Sequence, residues 1–314
     1  MSKVVVISGH PNLEESWTNK TILKKLSTSI ENLDVRRLDS LYPDYNIDVA
    51  AEQAALLDAD IIILQYPYYW YSVPALLKKW IDDVFSFNFA YGPEGDKLKN
   101  KHFLLSFTVG GPEESYDPLG YNHFTIEQLA YPLQQTCYLA GMNYLAPIYT
   151  HRMVYIPGVY NTQEEVEQRA NQHGERLISK IEQLSNSLEV KFEQFVKQWF
   201  AQFDQLPQDN SYFLQHLAND FELSDPIGSY QGIAGFNDWY NTLLKTFKPG
   251  VLHLIEQVNF IATTKQQYQA EIRVRAQGEL VSGEHINQLF NERWTVSLNS
   301  KGNFAIHSYH VAAV

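Results

Sequence analysis

The first 184 residues alternate short apolar runs with stretches whose apolar positions recur at helical spacing. Residues 4–7 and 61–64 are continuous apolar runs, as in strands that are buried on both faces. After the second run, Pro74 opens a helical pattern, since proline is tolerated in a first turn. The other predicted strands are 35–38, 103–109 and 145–149, and the other predicted helices are 22–30, 50–57, 126–140 and 164–184. This alternation predicts an α/β domain with a doubly wound parallel sheet.

The pattern changes at the polar segment 184–188, which predicts a boundary between a domain at 1–184 and another at 188–314. An aromatic helical face covers 190–203, and shorter helical patterns lie near 213–217 and 236–244. Four long strand candidates follow. In the clearest, at 268–276, apolar and polar residues alternate strictly, which is typical of an antiparallel sheet with one wet face. Helices followed by such a sheet predict an α+β domain.

Composition narrows the function classes. The chain of 314 residues is 45% hydrophobic and 19% charged, which favours a folded protein over a disordered one. Its formal net charge is −12 and no basic run exceeds two residues, so we expect no nucleic-acid partner. Cys137 is the single cysteine, which excludes an intramolecular disulfide and a cysteine-ligated zinc site. His307 and His310 fall on opposite faces of one strand and cannot share a metal ion, so no metal is expected.

The amino terminus lacks the apolar core of a signal peptide, and no apolar run reaches the roughly 18 residues of a membrane span. We therefore expect a cytoplasmic protein without a transmembrane segment.

Parallel sheets bind ligands at the carboxyl ends of their strands, which directs attention to three loops. The first, 9–19, leads into a helix whose free N–H groups suit a phosphate. Ser16, Thr18 and Asn19 can cap that helix, and an ordinary cap explains the loop equally well. The loop has neither the P-loop lysine motif nor the dinucleotide glycine triplet.

The second loop is aromatic, running from Gln65 to Pro74 with four consecutive aromatics at 68–71. A flat aromatic ligand stacked there would cover them, and an oligomer interface or local core is the alternative. The third loop carries Gly110 and Gly111, which allow close approach and offer N–H donors, although Gly-Gly-Pro is also a common turn. Together, a loop suited to a phosphate, an aromatic loop and a loop with backbone N–H donors indicate a site for flavin mononucleotide (FMN).

The residues of these loops belong to a longer series of motifs. The series comprises His10-Pro11 with Ser16 and Asn19; 41–44, 46–48 and 51–53; 70–72 with Pro74; 77–78 and 80–82; 89–92; and Thr108 with Gly110-Gly111. With these motifs, the first domain resembles the flavodoxin-like NAD(P)H:quinone oxidoreductases. Within that family it is most similar to the ancillary flavoproteins of bacterial glutathione-gated potassium efflux systems.

The resemblance implies non-covalent FMN, with FAD less favoured because the chain is short before residue 51. It also implies NAD(P)H as electron donor, a quinone or related electrophile as acceptor, and a homodimer. The implied cofactor contacts are His10, Ser16, Trp17, Thr18 and Asn19 at the phosphate; Pro67, Tyr68, Tyr69, Trp70 and Tyr71 at the ring; and Thr108, Val109, Gly110 and Gly111 at its polar edge. Tyr116 and His123 are the implied proton relay, with His123 offset by one position because Asn122 occupies the nominal place. The alternative is a regulatory subunit docked on a potassium/proton antiporter at the inner face of the cell membrane.

The second domain resembles SnoaL-like domains through its opening helix, residues 220–223, the Gly232-Ile233 turn and its four alternating strands. This resemblance implies a cone-shaped curled sheet around an apolar pocket. The candidate pocket residues are Asp225, Trp239, Tyr240, His253, Tyr268 and His307. Asp225 could form an acid–base pair with His253 or His307, while ligand binding without catalysis, or dimerisation, are the alternatives.

Overall fold

The computed structural model describes residues 2–263 and 267–314. The chain folds into two compact units, one ending at Ser185 and the other spanning Asn186–Val314. In the described part of the chain, no helix combines the length and apolar character needed to cross a membrane.

The first unit is built on a five-stranded sheet with the order β2-β1-β3-β4-β5, in which every neighbouring pair is parallel. Its strands are β1 (Val4–Ser8), β2 (Leu33–Arg37), β3 (Ile61–Pro67), β4 (His102–Thr108) and β5 (Asn143–Thr150). Its helices are α1 (Asn19–Ser29), α2 (Leu38–Leu41), α3 (Val49–Asp58), α4 (Ala75–Val84), α5 (Ile126–Leu139) and α6 (Gln163–Ser185).

Successive residues of the central strands point into two different cores. Val4 and Val6 pack with side chains of α1 and α6, whereas Val5 and Ile7 pack with side chains of α3, α4 and α5. A strand that feeds two cores must be apolar at every position, which explains the continuous apolar runs. The predicted doubly wound α/β sheet is confirmed.

Two local differences affect the loops. Strand β3 continues through Tyr66 and Pro67, so these two residues are buried strand positions rather than loop positions. After β1, a short 3-10 turn at Leu13–Glu15 precedes α1, which therefore begins only at Asn19.

The second unit holds a six-stranded sheet with the order β7-β6-β11-β10-β9-β8. Its strands are β6 (Leu217–Ser224), β7 (Ser229–Gln231), β8 (Leu252–Ala262), β9 (Tyr268–Glu279), β10 (His285–Leu298) and β11 (Phe304–Ala313). Its helices are α7 (Leu188–Gln205), α8 (Ser211–Leu214) and α9 (Gly232–Thr246). The four long strands that the sequence predicted, β8 to β11, pair antiparallel as expected. Strand β6, which was not among them, adds to β11 in parallel.

The core of the second unit is aromatic and lies between α7, α9 and one face of the sheet. Phe192, Trp199 and Trp294 are fully buried there. On β9, Ala270, Ile272, Val274 and Ala276 are buried, and the residues between them are more exposed. The predicted one-sided α+β architecture is confirmed, and the SnoaL-like resemblance stays a prediction.

Candidate functional site

The three loops predicted to converge are joined by hydrogen bonds at the carboxyl end of the first unit's sheet. Asn19 Nδ2 donates to Thr108 Oγ1 at 3.0 Å, which connects the first loop to the third. The backbone N–H of Tyr68 donates to the carbonyl of Thr108 at 2.9 Å, which connects the second loop to the third. The N–H of Gly9 donates to the carbonyl of Gln65 at 2.9 Å. The three loops therefore form one continuous site.

The first loop is held closed by its own polar contacts. Ser16 Oγ accepts a hydrogen bond from the N–H of Asn19 at 3.0 Å, so Ser16 caps the helix that starts there. His10 Nδ1 accepts from the N–H of Asn12 at 3.1 Å, and burial lowers the pKa of His10. Ser16, Thr18 and Asn19 are buried, whereas Trp17 is 49% exposed. The loop therefore presents backbone groups and one indole to solvent.

The aromatic segment is divided between the core and the surface. Tyr66 is fully buried, and Tyr68 is half-buried and stacked on Phe107 with ring centroids 5.1 Å apart. Only Tyr69, Trp70 and Tyr71 are exposed, and Trp70 is 91% exposed. The wall available to a ligand is smaller than the four consecutive aromatics suggested.

Two of the exposed aromatics have an unusual backbone. Trp70 and Tyr71 have φ angles of 48° and 64°, in the left-handed region that bulky side chains rarely adopt. Such strain collects at functional sites. The hydroxyl of Tyr71 donates to Asn122 Oδ1 at 2.8 Å, which fixes one end of the segment.

The glycine loop presents backbone donors. Val109 is anchored, because its N–H donates to the carbonyl of Thr150 at 2.9 Å. The N–H groups of Gly110 and Gly111 make no hydrogen bond within the described part of the chain. A Cβ on Gly111 would lie 3.2 Å from Tyr116 Cε2, tighter than ordinary van der Waals contact, so a larger residue here would displace the tyrosine ring.

Tyr116 has a histidine neighbour, but it is His151 rather than His123. The rings of Tyr116 and His151 lie 5.3 Å apart, and His151 Nδ1 is 3.2 Å from the carbonyl of Gly111. Burial lowers the pKa of His151 and raises the pKa of Tyr116. His123 is exposed with a φ of 61°, and no ring contact between it and Tyr116 occurs in the described residues. The structure therefore does not bring the two predicted relay residues together.

A buried polar chain runs beneath the site, across the sheet. Gln65 Nε2 donates to Asn19 Oδ1 at 2.8 Å, and Ser106 Oγ donates to Gln65 Oε1. His173 Nε2 lies 2.8 Å from Ser106 Oγ, and His173 Nδ1 lies 2.8 Å from Thr150 Oγ1. Burial lowers the pKa of His173 to about 3. This neutral histidine links α6 to the floor of the site, and the helical pattern that contains it gave no signal of that role.

The last two residues of β2, Arg36 and Arg37, are held by carboxylates. Arg36 binds the fully buried Glu52 with an Nη2–Oε1 distance of 2.6 Å, and Arg37 pairs with Glu14 and Asp39. Trp80 Nε1 also donates to Glu52, at 2.9 Å. Both arginines therefore stabilise the framework.

In the second unit, the predicted pocket residues separate into two groups. Asp225, Trp239 and His253 line a cavity of about 340 Å³. Tyr240 instead donates to the carbonyl of Pro207, and Tyr268 stacks on Phe260. His307 binds Asp220 and Ser297 at 2.6 and 2.8 Å.

Asp225 already accepts three hydrogen bonds, from the N–H groups of Ile227 and Gly228 and from Trp239 Nε1, each at 2.8 Å. It therefore shapes a turn, and the two histidines bind other carboxylates, His253 that of Asp204 and His307 that of Asp220.

Comparison with known proteins identifies the fold class of the first unit. Residues 2–177 match the family of proteins with a flavodoxin-like fold. The chain is 38% identical over 196 residues to YdeQ of Bacillus subtilis (strain 168), an uncharacterized NAD(P)H oxidoreductase, and the match covers 62% of this chain and 94% of that protein.

Two solved structures are similar at the level of the fold and of sequence. General stress protein 14 of Treponema denticola, solved in complex with FMN, is 28% identical, with a TM-score of 0.51 and coverage of 57% of this chain and 98% of that one. A thermophilic tryptophan halogenase (Th-Hal) from Streptomycin violaceusniger is 36% identical, with a TM-score of 0.50 and coverage of 55% and 97%.

The fold and the joined loops define a flavodoxin-type α/β unit. The chain belongs to the flavodoxin-like fold family, and the predicted resemblance of its first unit to the NAD(P)H oxidoreductases of that family is confirmed.

Proposed function

We propose that the first unit is an NAD(P)H-dependent flavoprotein oxidoreductase that holds FMN at the three joined loops and reduces a quinone. The observation that carries the proposal is the junction of the loops, where unbonded Gly110 and Gly111 N–H groups lie on the same site as an exposed aromatic segment. Bound FMN would accept a hydride from NAD(P)H and pass two electrons to the quinone.

The polar groups of the site fit such a cofactor. Ser8 Oγ and Tyr68 Oη are buried and have no hydrogen-bond partner in the described part of the chain. Buried polar atoms are normally paired, so these two atoms fit a polar ligand at the ends of β1 and β3. Glu14 on the first loop is paired with Lys20 and Arg37, which reduces its repulsion of a phosphate.

The candidate residues divide into those that touch the cofactor and those that position it. His10, Ser16, Trp17 and Thr18 would hold the phosphate end together with the loop backbone. Asn19 and Thr108 use their side chains on each other, so we assign them to positioning. The proposed ring contacts are Tyr68, Tyr69, Trp70, Tyr71, Val109, Gly110 and Gly111, and Pro67 supports them from within β3.

Tyr116 and His151 form the proposed proton-handling pair. Their rings are adjacent, and both lie beside Gly111, whose N–H would face the charge that develops on the reduced ring. Burial lowers the pKa of His151 and so favours the neutral ring. Because Nδ1–H faces the carbonyl of Gly111, Nε2 carries no proton in that form and would be able to accept one. The phenol of Tyr116 would be the proton donor to an acceptor above the glycine loop.

The test is an anaerobic titration of the purified chain. We expect a yellow protein whose flavin is released as FMN on denaturation, bleaches with NADPH or NADH and regains its colour with 1,4-benzoquinone. A protein that binds FMN but is not bleached by either nicotinamide would refute the enzyme and favour the regulatory antiporter subunit. Absence of bound FMN after reconstitution would refute the flavin site itself.

A homodimer is also proposed for the first unit. A groove of about 280 Å³ between α4 and α5 is lined by Tyr68, Tyr71, Tyr91 and Leu139, and the last three are substantially exposed. Exposed apolar surface of this kind is typical of an interface. Light scattering should give twice the chain mass of 36.2 kDa. A monomer that retains full quinone reductase activity would contradict the dimer.

A further inference from the structure

The 340 Å³ cavity of the second unit is walled by aromatic and aliphatic side chains from α7, α9 and the sheet. Its aromatic walls are Phe200, Phe203, Trp239, Phe247 and Phe290. A cavity of this size and character suits a small apolar molecule, and ring faces favour a ligand that itself contains a ring.

Few polar side chains on this lining are free to meet a ligand. Asp225 already accepts three hydrogen bonds from within the chain, as described above. Lys248 is paired with Glu279. No unpaired cation lines the cavity in the described residues, so a ligand with a carboxylate or phosphate would enter without charge compensation. The lining therefore disfavours an anionic ligand.

Unlike Asp225 and Lys248, Glu292 can offer a hydrogen bond to a ligand. It lines the cavity, is 4% exposed, and forms no ion pair in the described part of the chain. Trp294 Nε1 donates to its Oε2 at 2.9 Å, and the hydroxyl of Tyr309 donates to its Oε1 at 3.2 Å. Burial raises the pKa of Glu292 to about 8, so the carboxyl is protonated at pH 7. Trp294 can only donate, whereas the Tyr309 hydroxyl can donate or accept. When Tyr309 donates to Oε1, the O–H of the acid has no acceptor among these two neighbours and is available to a ligand.

His253 supplies a second polar position on the same lining. Its Nδ1 lies 2.7 Å from Asp204 Oδ1, and its ring stacks on Phe200 with centroids 5.1 Å apart. These contacts fix the ring and leave Nε2 without a partner in the described residues. The cavity thus combines a fixed imidazole, an acid that can donate and aromatic walls.

We propose that this cavity binds an uncharged, ring-containing apolar molecule through a carbonyl oxygen that accepts a hydrogen bond from Glu292. The site is separate from the proposed flavin site, and its existence does not depend on the activity of the first unit. Burial of a carbonyl oxygen requires such a donor, because an unpaired polar group in an apolar cavity is costly.

Two matched probes test the proposal with the full chain. 1-Tetralone and tetralin share a fused-ring skeleton, and only the first has a carbonyl oxygen. We expect calorimetry to show about tenfold tighter binding of 1-tetralone, the size of one well-made hydrogen bond. Equal affinities, or no binding of 1-tetralone at millimolar concentration, would overturn the proposal.

Variants assign the preference to the cavity. Glu292→Leu should abolish the preference while tetralin still binds, and Glu292→Gln, which keeps an N–H donor, should retain much of it. Ile286→Trp, at a half-buried lining position, should block both probes with unchanged circular dichroism. Glu271→Gln, exposed on β9, is the control and should change nothing. If Glu292→Leu keeps the preference, or if Ile286→Trp leaves binding intact, the proposed site is wrong.

Discussion

Glu292 makes the stability of the second unit depend on pH in a direction opposite to that of most carboxylates. Its pKa is raised from 4.5 to about 8 by burial, against the opposing effect of hydrogen bonds from Trp294 and Tyr309. Below pH 4.5 the carboxyl is neutral in both the folded and the unfolded chain. Above that pH the unfolded chain ionises while the folded chain keeps its proton, so the free energy of unfolding falls.

The size of the effect follows from the shift. Each pKa unit corresponds to about 1.4 kcal/mol, so a shift of about three and a half units removes about 5 kcal/mol of stability between pH 4.5 and 8. The loss is complete above pH 8, where both states are ionised. A loss of this size is comparable with the whole stability of many domains.

The perturbation is Glu292→Gln, which does not titrate and keeps the size of the side chain. Its amide oxygen can accept from Trp294, and its amide N–H can donate to the Tyr309 hydroxyl. Hydrogen exchange of β10 and β11 amides in rising urea reports on the second unit separately from the first. Between pH 5 and 8, the stability of the wild-type chain should fall relative to the variant by about 4 kcal/mol. A stability difference that stays constant over this range would refute the burial argument, and Glu271→Gln should show no such trend.

Three further predictions concern the first unit. Tyr116→Phe and His151→Gln should each slow quinone turnover by about a hundredfold without loss of FMN absorbance. The double variant should be little slower than either single variant, and additive losses would show that the two residues act separately. Gly111→Val should weaken FMN binding at least about tenfold in a fluorescence titration, because a Cβ at this position would lie 3.2 Å from Tyr116. The control is Gly228→Ala, which should leave FMN binding unchanged, because a Cβ there would have its nearest neighbour 3.5 Å away. His173→Leu should lower the unfolding free energy by about 2–4 kcal/mol at pH 7. It should also remove the part of the fall in stability between pH 6.5 and 3 that comes from His173, because over this range the unfolded His173 takes up a proton and the folded one does not; an unchanged acid limb in urea titrations would contradict this.

Strand and helix positions in the first unit were predictable because each buried strand must be apolar on both faces. The same rule placed the three loops at one edge of the sheet. Which aromatic residues of this segment are buried and which are exposed could not be predicted, because that depends on how far β3 extends. The pairing of residues 65–67 with residues 106–108 carries the strand three residues beyond the apolar run and buries Tyr66.

His151 was missed for a different reason. It lies 35 positions beyond Tyr116 in the chain, and it reaches the site because the pairing of β4 with β5 puts Thr108 opposite Thr150. Nothing local in the sequence distinguishes it from other histidines. The spacing from the glycine pair instead directed attention to His123, whose left-handed backbone belongs to an exposed turn.

Glu292, by contrast, left a signal in the sequence. On β10, Trp294 and Val296 occupy the buried face, and the strand period of two assigns Glu292 to that same face. A charged residue on the apolar side of an alternating strand must be paired, neutral or functional, because an isolated buried charge is prohibitively costly. The described residues give Glu292 two neutral donors and no cation, so neutrality is the remaining solution. The pH dependence and the ligand preference of the cavity are therefore two independent measurements of one buried proton.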